Sequence, residues 1–594
     1  MIGVEIGCTQ VGRQRILLIG CCLQNFAAGH TEVMERNVAE HIIEFLAASG
    51  VPRVHALPGE ENLDIVEALR TSAITVVVHR HEQNAAFTAA AEGRLSGRPG
   101  VCLATLGPGA TNLFTGLAHA HLGGFPMLAF TGQKPALDNS EGSFQVIDVV
   151  AAAEPLVKAA VRLDDPMDVG GVMEAAWRTA TTGRPGPVLI ELPEDVAGQS
   201  VEVEIAPGIF PPVATSVPTE DLLAGAVAAI NHARRPVMLV SEHGNRRAVS
   251  DAVVAFAEAT GIGVLSTQLG SGAIDARHSN AIGTLGIHRP DHAHLGLYDV
   301  DLVVAVGYDP VEHPPLAWNP EDQIPVMHVA AWPARPERGY RPFTDLVGDP
   351  AATLECLAER IVSRPDGDVM VRKTVVSELL DEEEPATRET APSEAEALTP
   401  LDVVGGVRSA LDDRDVVVLD NGAYKVWFAR HWRATEPQTL LMDNALATMG
   451  AGLGTGMAAA LYDADRRTVV VTGDGGFLMN VQDLATVGPL GIDLTIIVVR
   501  DDAFGFIAWH QDEQDFERSS VALDNPDLLA LSQAFGASVA RVNTKAALAA
   551  ELERSKTQSG LHVIECPINY SINEMLDGSA DAAIERYQQR RDQG

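Results

Sequence analysis

Short runs of β-branched residues alternate along this chain with longer stretches whose apolar positions recur at helical spacing. Residues 37–50 place apolar side chains on one helical face and stop at Gly50, a common helix-ending residue. The run 54–57, the turn Pro58-Gly59, a second helical stretch to Leu69 and the β-rich run 74–78 follow. The cycle repeats with a helix over 82–95, a turn at 97–100, a strand over 101–105 and a helix opened by Gly107-Pro108-Gly109. A last strand lies within 186–195. Such alternation predicts parallel sheets covered by helices on both faces.

The pattern recurs twice more, so the expected fold class is α/β, with three consecutive doubly wound parallel-sheet domains. Residues 1–33 read as an extension and 34–205 as the first domain. The second spans 220–370, after a Pro- and Ser-containing linker near 207–219, with strands at 236–240, 263–266, 301–307 and 326–329. Residues 371–397, including Asp381-Glu382-Glu383-Glu384-Pro385, read as an exposed acidic linker with little to bury. The third domain covers 398–575, with strands at 416–419, 468–472, 494–499 and 562–565, and 576–594 form a helical tail. The first and third domains share size and layout, which suits an ancient duplication.

Charge narrows the function. Asp and Glu number 80 against 43 Lys and Arg, a net charge of -37 over 594 residues. That excess repels nucleic acid and anionic membranes, but leaves room for one small anionic cofactor held by backbone amides and a metal. The six cysteines form no CxxC, so neither a disulfide scaffold nor a zinc cluster is expected. The apolar run 16–22 is far shorter than the roughly 20 residues that span a bilayer, and the expected compartment is cytoplasmic.

Two clusters carry candidate chemistry. Gly473-Asp474-Gly475-Gly476 follows a strand, where glycines let backbone amides approach an anion and Asp474 is a hard ligand for Mg²⁺. Asp501 ends the next strand and reaches the same rim, where α/β folds bind ligands. A plain turn and a surface carboxylate are the alternative reading. Glu82, in Arg80-His81-Glu82-Gln83, lies between an apolar strand and an Ala-rich helix, a setting that desolvates a carboxyl and suits proton transfer. Its alternative is an ordinary acid at a helix N-terminus. His79, His81, His119 and His121 are scattered by the predicted elements and are not expected to bind zinc.

Taken together these motifs resemble the thiamine diphosphate (ThDP) enzymes of the acetolactate (acetohydroxyacid) synthase type. Pro58-Gly59, Arg80 to Gln83, Thr105 to Leu113, Phe130 to Gln133, Phe144-Gln145, Thr448-Met449-Gly450 and Gly473-Asp474-Gly475 stand in family order over residues 34–575. The resemblance implies a pyrimidine-binding first domain and a diphosphate-binding third domain. It gives Glu82 the place of the glutamate on the aminopyrimidine N1′. Met449 resembles the bulky residue under the thiazolium, and the Ala447 carbonyl faces the 4′-amino group. Asp474, Asp501 and the Ala503 carbonyl resemble the Mg²⁺ ligands, with Asp501 where the family usually has Asn. Asn421, Gly422, Ala423, Tyr424, Gly475 and Gly476 resemble the diphosphate cradle. Pro58, Gly59, Gly473, Phe504, Gly505 and Phe506 fall in other cofactor-binding segments. Phe144, Gln145, Phe506 and His510 resemble the substrate channel, and Gln145 is also a candidate for catalysis.

The implied reaction joins two pyruvates, with loss of CO₂, into 2-acetolactate, in a homodimer or homotetramer with active sites between subunits. The glycine- and arginine-containing middle-domain pattern of the FAD-using members is missing. Asp301 to His313 and Trp318-Asn319-Pro320 stand in its place, so FAD is not expected and the FAD-independent, catabolic type is the nearer match. Another 2-oxo acid decarboxylase, an acyltransferase, a carboligase with a specialised acceptor, or a catalytically silent homologue are the alternatives.

Overall fold

Three six-stranded sheets, each entirely parallel, follow one another along the chain. The structure is a computed structural model that describes residues 36–135, 142–204, 206–208, 217–287, 289–390 and 397–593, with the backbone alone for 384–390 and 593. The expected extension 1–33, most of the linker 207–219 and the end of the acidic segment lie outside these residues.

The first sheet takes the spatial order Thr75–Val78, Arg53–Ala56, Gly100–Ala104, Met127–Gln133, Pro187–Pro193, Ala159–Arg162. The third repeats it with Leu440–Met442, Val416–Leu419, Thr468–Gly473, Leu494–Arg500, Leu561–Pro567, Ser538–Arg541. Numbered within each domain, both orders read 2-1-3-4-6-5, whereas the middle sheet reads 3-2-1-4-5-6. The shared order is what a duplication of the first and third domains requires.

Burial explains the long apolar strands. In the third sheet Val417, Val469, Val471, Ile497 and Val499 enter the core on one face, while Val416, Val418, Val470, Ile496 and Val498 enter the core on the other. Both faces are dry, so the strands read as continuous apolar runs rather than as alternation. Each such side chain contributes about 1.5–3 kcal/mol of burial. The strands missing from the sequence reading are mostly short outer ones. Ala159–Arg162 is half-buried throughout and Ser538–Arg541 has exposed ends, so neither carries a strong apolar signal.

Helix Glu82–Ser96 of the first domain lies along helix Ala451–Tyr462 of the third. Small residues on both make the approach possible: a Cβ on Gly454 would stand 2.7 Å from Asn84 Oδ1 and 2.9 Å from Phe87 Cβ. Of the glycine-rich run 450–456, Gly454 serves this contact, while Gly452 clears Asp420 and Gly456 clears Val470. The two helices are antiparallel, with Asn84 on Met457 at one end and the Arg94 guanidinium donating to the Met442 carbonyl (2.9 Å) at the other.

The acidic segment corrects the sequence reading. Residues 367–390 form one helix, Gly367–Thr390, and its described carboxylates have partners. Arg586 and Arg590, on the tail helix Ser579–Gln593, pair with Glu382 and Glu378, and Arg433 pairs with Asp381. Glu383 is buried against Arg430, His431 and His292. A run that looks solvated in sequence is thus neutralised by cations about 50 and 200 residues downstream. Among the described residues no helix is long and apolar enough to cross a membrane.

Candidate cofactor site

The C-terminal ends of the third sheet's strands carry a cavity of about 350 Å³. It opens where the chain leaves Val416–Leu419, Thr468–Gly473 and Leu494–Arg500, the switch point at which open α/β sheets bind ligands. The first strand delivers Asn421, Gly422, Ala423 and Tyr424, and the second delivers Gly473, Asp474, Gly475 and Gly476. The third delivers Asp501, Ala503, Phe504, Gly505 and Phe506, while Ala447 and Met449 arrive on the loop before helix Ala451–Tyr462. Fifteen of the residues singled out in the sequence line this one cavity.

Asp420 builds the rim. Its carboxylate accepts the Gly450 N–H (2.9 Å), the Asn421 N–H (2.8 Å) and the Thr472 hydroxyl (2.8 Å), tying two strand ends to the loop before helix Ala451–Tyr462. Gly450, at φ +85°, turns the chain into the helix in a conformation that favours glycine. A Cβ on Gly476, in helix Asp474–Asn480, would fall 2.4 Å from the Asp420 carboxylate, so this position also has to be glycine. Ala447 holds a strained left-handed φ of 53°, the kind of local cost that persists where surrounding structure fixes a functional backbone group.

Asp474 and Asp501 share one end of the cavity. Burial, and then the Asp474 charge beside it, push Asp501 up to about 7. Burial raises Asp474 too, against hydrogen bonds from Gly475, Asn525 and Asp502. Two buried acids whose ionisation is hindered form the arrangement a divalent cation relieves, and hard carboxylate oxygens suit Mg²⁺. The donor set and the glycine-lined approach fit a metal-bound diphosphate.

Asn525 is a site residue that the sequence does not reveal. Its Nδ2 donates to Asp474 (2.7 Å) and Asp502 (2.8 Å) from a loop that reaches the rim only through tertiary pairing of Ala503 with Ala522. Asn525→Ala is expected to weaken Mg²⁺ binding in the presence of ThDP by about 10- to 100-fold, read by calorimetric Mg²⁺ titration. Unchanged affinity would remove Asn525 from the support of Asp474. Asp420, Lys425 and Tyr570 are likewise hidden in the sequence. Nothing local distinguishes them from strand-end and helix residues.

The remaining candidates lie elsewhere. Glu82, 5% exposed, sits at the C-terminal edge of the first sheet, where it accepts a hydrogen bond from Asn112 Nδ2 (2.9 Å). Gly59 packs on Thr105, and Gly107 packs on Gln145, whose φ of 61° is unusual outside glycine. Pro58 precedes Gly59 on the same edge, and Phe144 precedes Gln145 with 77% of its surface exposed. His510 stands one helical turn beyond Phe506, its ring 4.7 Å from that phenyl, with Nδ1 3.0 Å from Glu513. Within one chain Glu82 does not face the cavity. The Arg94 end of its helix reaches Met442 at the start of the cavity loop, and Glu82 lies twelve residues, about 18 Å, back along the axis.

Family models match along the chain in this same domain order. A thiamine pyrophosphate enzyme N-terminal TPP binding domain matches residues 36–152, a central domain 223–357 and a C-terminal TPP binding domain 420–566. The chain belongs to the thiamine pyrophosphate enzyme family. Its acetolactate synthase-like relatives align almost end to end. The acetolactate synthase of Bacillus subtilis (strain 168) is 30% identical over 541 residues, covering 90% of this chain and 94% of the relative. The catabolic acetolactate synthase of Raoultella terrigena is 31% identical over 551 residues, covering 91% and 96%. The chloroplastic acetolactate synthase of Arabidopsis thaliana is 28% identical over 561 residues, covering 91% and 83%. In family terms the cavity lies in the C-terminal TPP binding domain and Glu82 in the N-terminal one.

Proposed function

We propose that this protein is a ThDP- and Mg²⁺-dependent carboligase that converts two pyruvates into 2-acetolactate and CO₂. The observation that carries the reading is the cavity that gathers Met449, Asp474 and Asp501, matched by Glu82 on the equivalent edge of the duplicated sheet. ThDP, when bound, supplies the carbon acid and the electron sink that a 2-oxo acid needs to lose CO₂. Asp474, Asp501 and the Ala503 carbonyl would hold Mg²⁺, and Asn421 with the Gly473 to Gly476 turn would receive the diphosphate. Met449 would set the cofactor's bend from below, and the Ala447 carbonyl would face the 4′-amino group. Glu82 would hold and pass a proton at the aminopyrimidine N1′, with Asn112 fixing its carboxylate.

Because Glu82 lies far from its own chain's cavity, the reading requires a second copy to bring its first domain over that cavity. Exposed apolar side chains support this on both halves: Phe144 beside Gln145, and Ile507 (53% exposed) and Phe516 (61% exposed) on and just beyond helix Gly505–Glu513. Dimer and tetramer both satisfy the requirement.

The middle domain supports flavin independence. Its strand order is that of dinucleotide-binding sheets, whose crevice lies between Pro236–Val240 and Leu302–Val306. Here a Cβ on Gly307 would stand 2.4 Å from the Gly244 nitrogen, and Glu242 and Glu312 are buried at the same strand ends. Glu312 there accepts from Ser241, Thr267 and the Leu269 N–H rather than from a cation, a setting that disfavours a pyrophosphate. A carboligase with a different acceptor is the second reading. It is favoured by buried Glu61, which binds Lys134 (2.6 Å) and Thr105 (2.8 Å) in a turn where the family is commonly glycine-rich.

The test is a mass-spectrometric product assay of the purified protein with ThDP, Mg²⁺ and pyruvate and no added FAD. Acetolactate is the expected product. Acetaldehyde with CO₂ would assign a decarboxylase, and untouched pyruvate with bound ThDP would move the search to other 2-oxo acids and aldehydes.

A further inference from the structure

The cavity's charged lining consists of Asp474, Asp501 and one cation, Lys425, on helix Tyr424–His431. The lysine is 7% exposed, yet its ammonium donates only to neutral oxygens: Asn421 Oδ1 (2.6 Å), the Asp443 carbonyl (2.9 Å) and Asn444 Oδ1 (3.2 Å). Other buried cations of this chain sit directly on carboxylates, as Arg94 does on Glu242, Arg430 on Glu383 and Arg372 on Asp368. Asp443 and Asp420 act on Lys425 only through space, and their carboxylates accept other donors. The Asp443 carboxylate receives His119 and the Thr448 N–H, and that of Asp420 receives Gly450, Asn421 and Thr472. A buried ammonium on a cavity wall with no carboxylate in direct contact can still take an anionic ligand as its ion-pair partner.

We infer that Lys425 is the cation that receives the cofactor's diphosphate. The inference rests on the ThDP reading proposed above. Lys425 grips Asn421, the first residue of the cradle, and its bonds to Asp443 and Asn444 hold the start of the loop that carries Ala447 and Met449. A diphosphate held at that cradle would meet the Lys425 charge beside Asn421.

The experiment compares wild type, Lys425→Gln and Lys425→Arg as full-length chains in Mg²⁺, titrated calorimetrically with ThDP, thiamine monophosphate and thiamine. Lys425→Gln keeps a polar side chain without the charge. It is expected to weaken ThDP by about 10- to 100-fold, thiamine monophosphate by less, and thiamine within about twofold. Lys425→Arg should stay within about tenfold of wild type for ThDP. Parallel loss of ThDP and thiamine affinity in both variants, with a lowered Tm, would overturn the inference in favour of a purely structural lysine. So would Lys425→Gln with wild-type ThDP affinity and a raised KM for pyruvate at saturating cofactor, which would assign the charge to the substrate carboxylate. Wild type that binds no ThDP would instead sink the functional reading beneath it.

Discussion

Glu82→Gln is expected to lower turnover of the ThDP- and Mg²⁺-loaded protein by at least about 10²-fold, with ThDP affinity changed by less than about tenfold. The two amino acids share a shape, so the hydrogen bond with Asn112 Nδ2 can be kept after the amide turns over. What the amide cannot do is take up and release a proton. The loss should therefore fall on kcat and kcat/KM together, the sign of a group needed in the transition state rather than for binding. Gly109 keeps the site open: a Cβ there would stand 3.3 Å from Glu82 Oε1 and 2.9 Å from Thr105. The measurement is steady-state acetolactate formation beside calorimetric ThDP binding. Turnover within a few-fold of wild type would take Glu82 out of the chemistry, whereas loss of ThDP binding itself would assign it to cofactor assembly.

The largest expected loss of stability is at Glu383. Its carboxylate lies among His292 (2.8 Å), His431 (2.9 Å) and Arg430, joining the 367–390 helix to the third domain. Burial favours the neutral acid, but hydrogen bonds from His292, His431 and Arg430 outweigh it and hold Glu383 well below the usual carboxylate range. Glu383→Ala leaves the Arg430 guanidinium buried without its counter-ion. The expected cost is about 3–5 kcal/mol of unfolding free energy, measured by denaturant titration. Because the folded carboxyl is the stronger acid, its contribution is fully present above the unfolded value of about 4.5. It is lost as the pH falls from there toward the folded value, so wild type and variant should converge in strongly acidic solution. A variant equal to wild type at pH 7 would show that the cluster is not stabilising.

The two residues mark how far the sequence can be read. Glu82 is legible because its neighbours are local: an apolar strand before it, an alanine-rich helix after it, and a position in a motif of fixed order. Glu383 is not, because its partners come from residues near 292 and 430, and no local pattern records a contact across such a distance. Asn525 is hidden for the same reason, since its loop meets Asp474 only when Ala522 pairs with Ala503. Lys425 looks like a helix residue, and only burial beside neutral oxygens makes its charge conspicuous.

The three α/β domains, the turns that end their central strands and most of the residues that line the cavity are written locally in the chain. They depend on hydrophobic period, turn chemistry and short motifs, which act over a few residues. Long-range packing settles the rest. It sets the common strand order of the first and third sheets, the edge strands too short and too exposed to leave a pattern, and the neutralisation of the acidic helix by distant arginines. It also sets the separation of Glu82 from the cavity of its own chain. Helix Glu82–Ser96 packs antiparallel on helix Ala451–Tyr462 because small residues on both let them approach, and that packing points Glu82 away from Met449. Which way two matched helices run against each other is settled by the whole interface between domains, and no single stretch of sequence contains it.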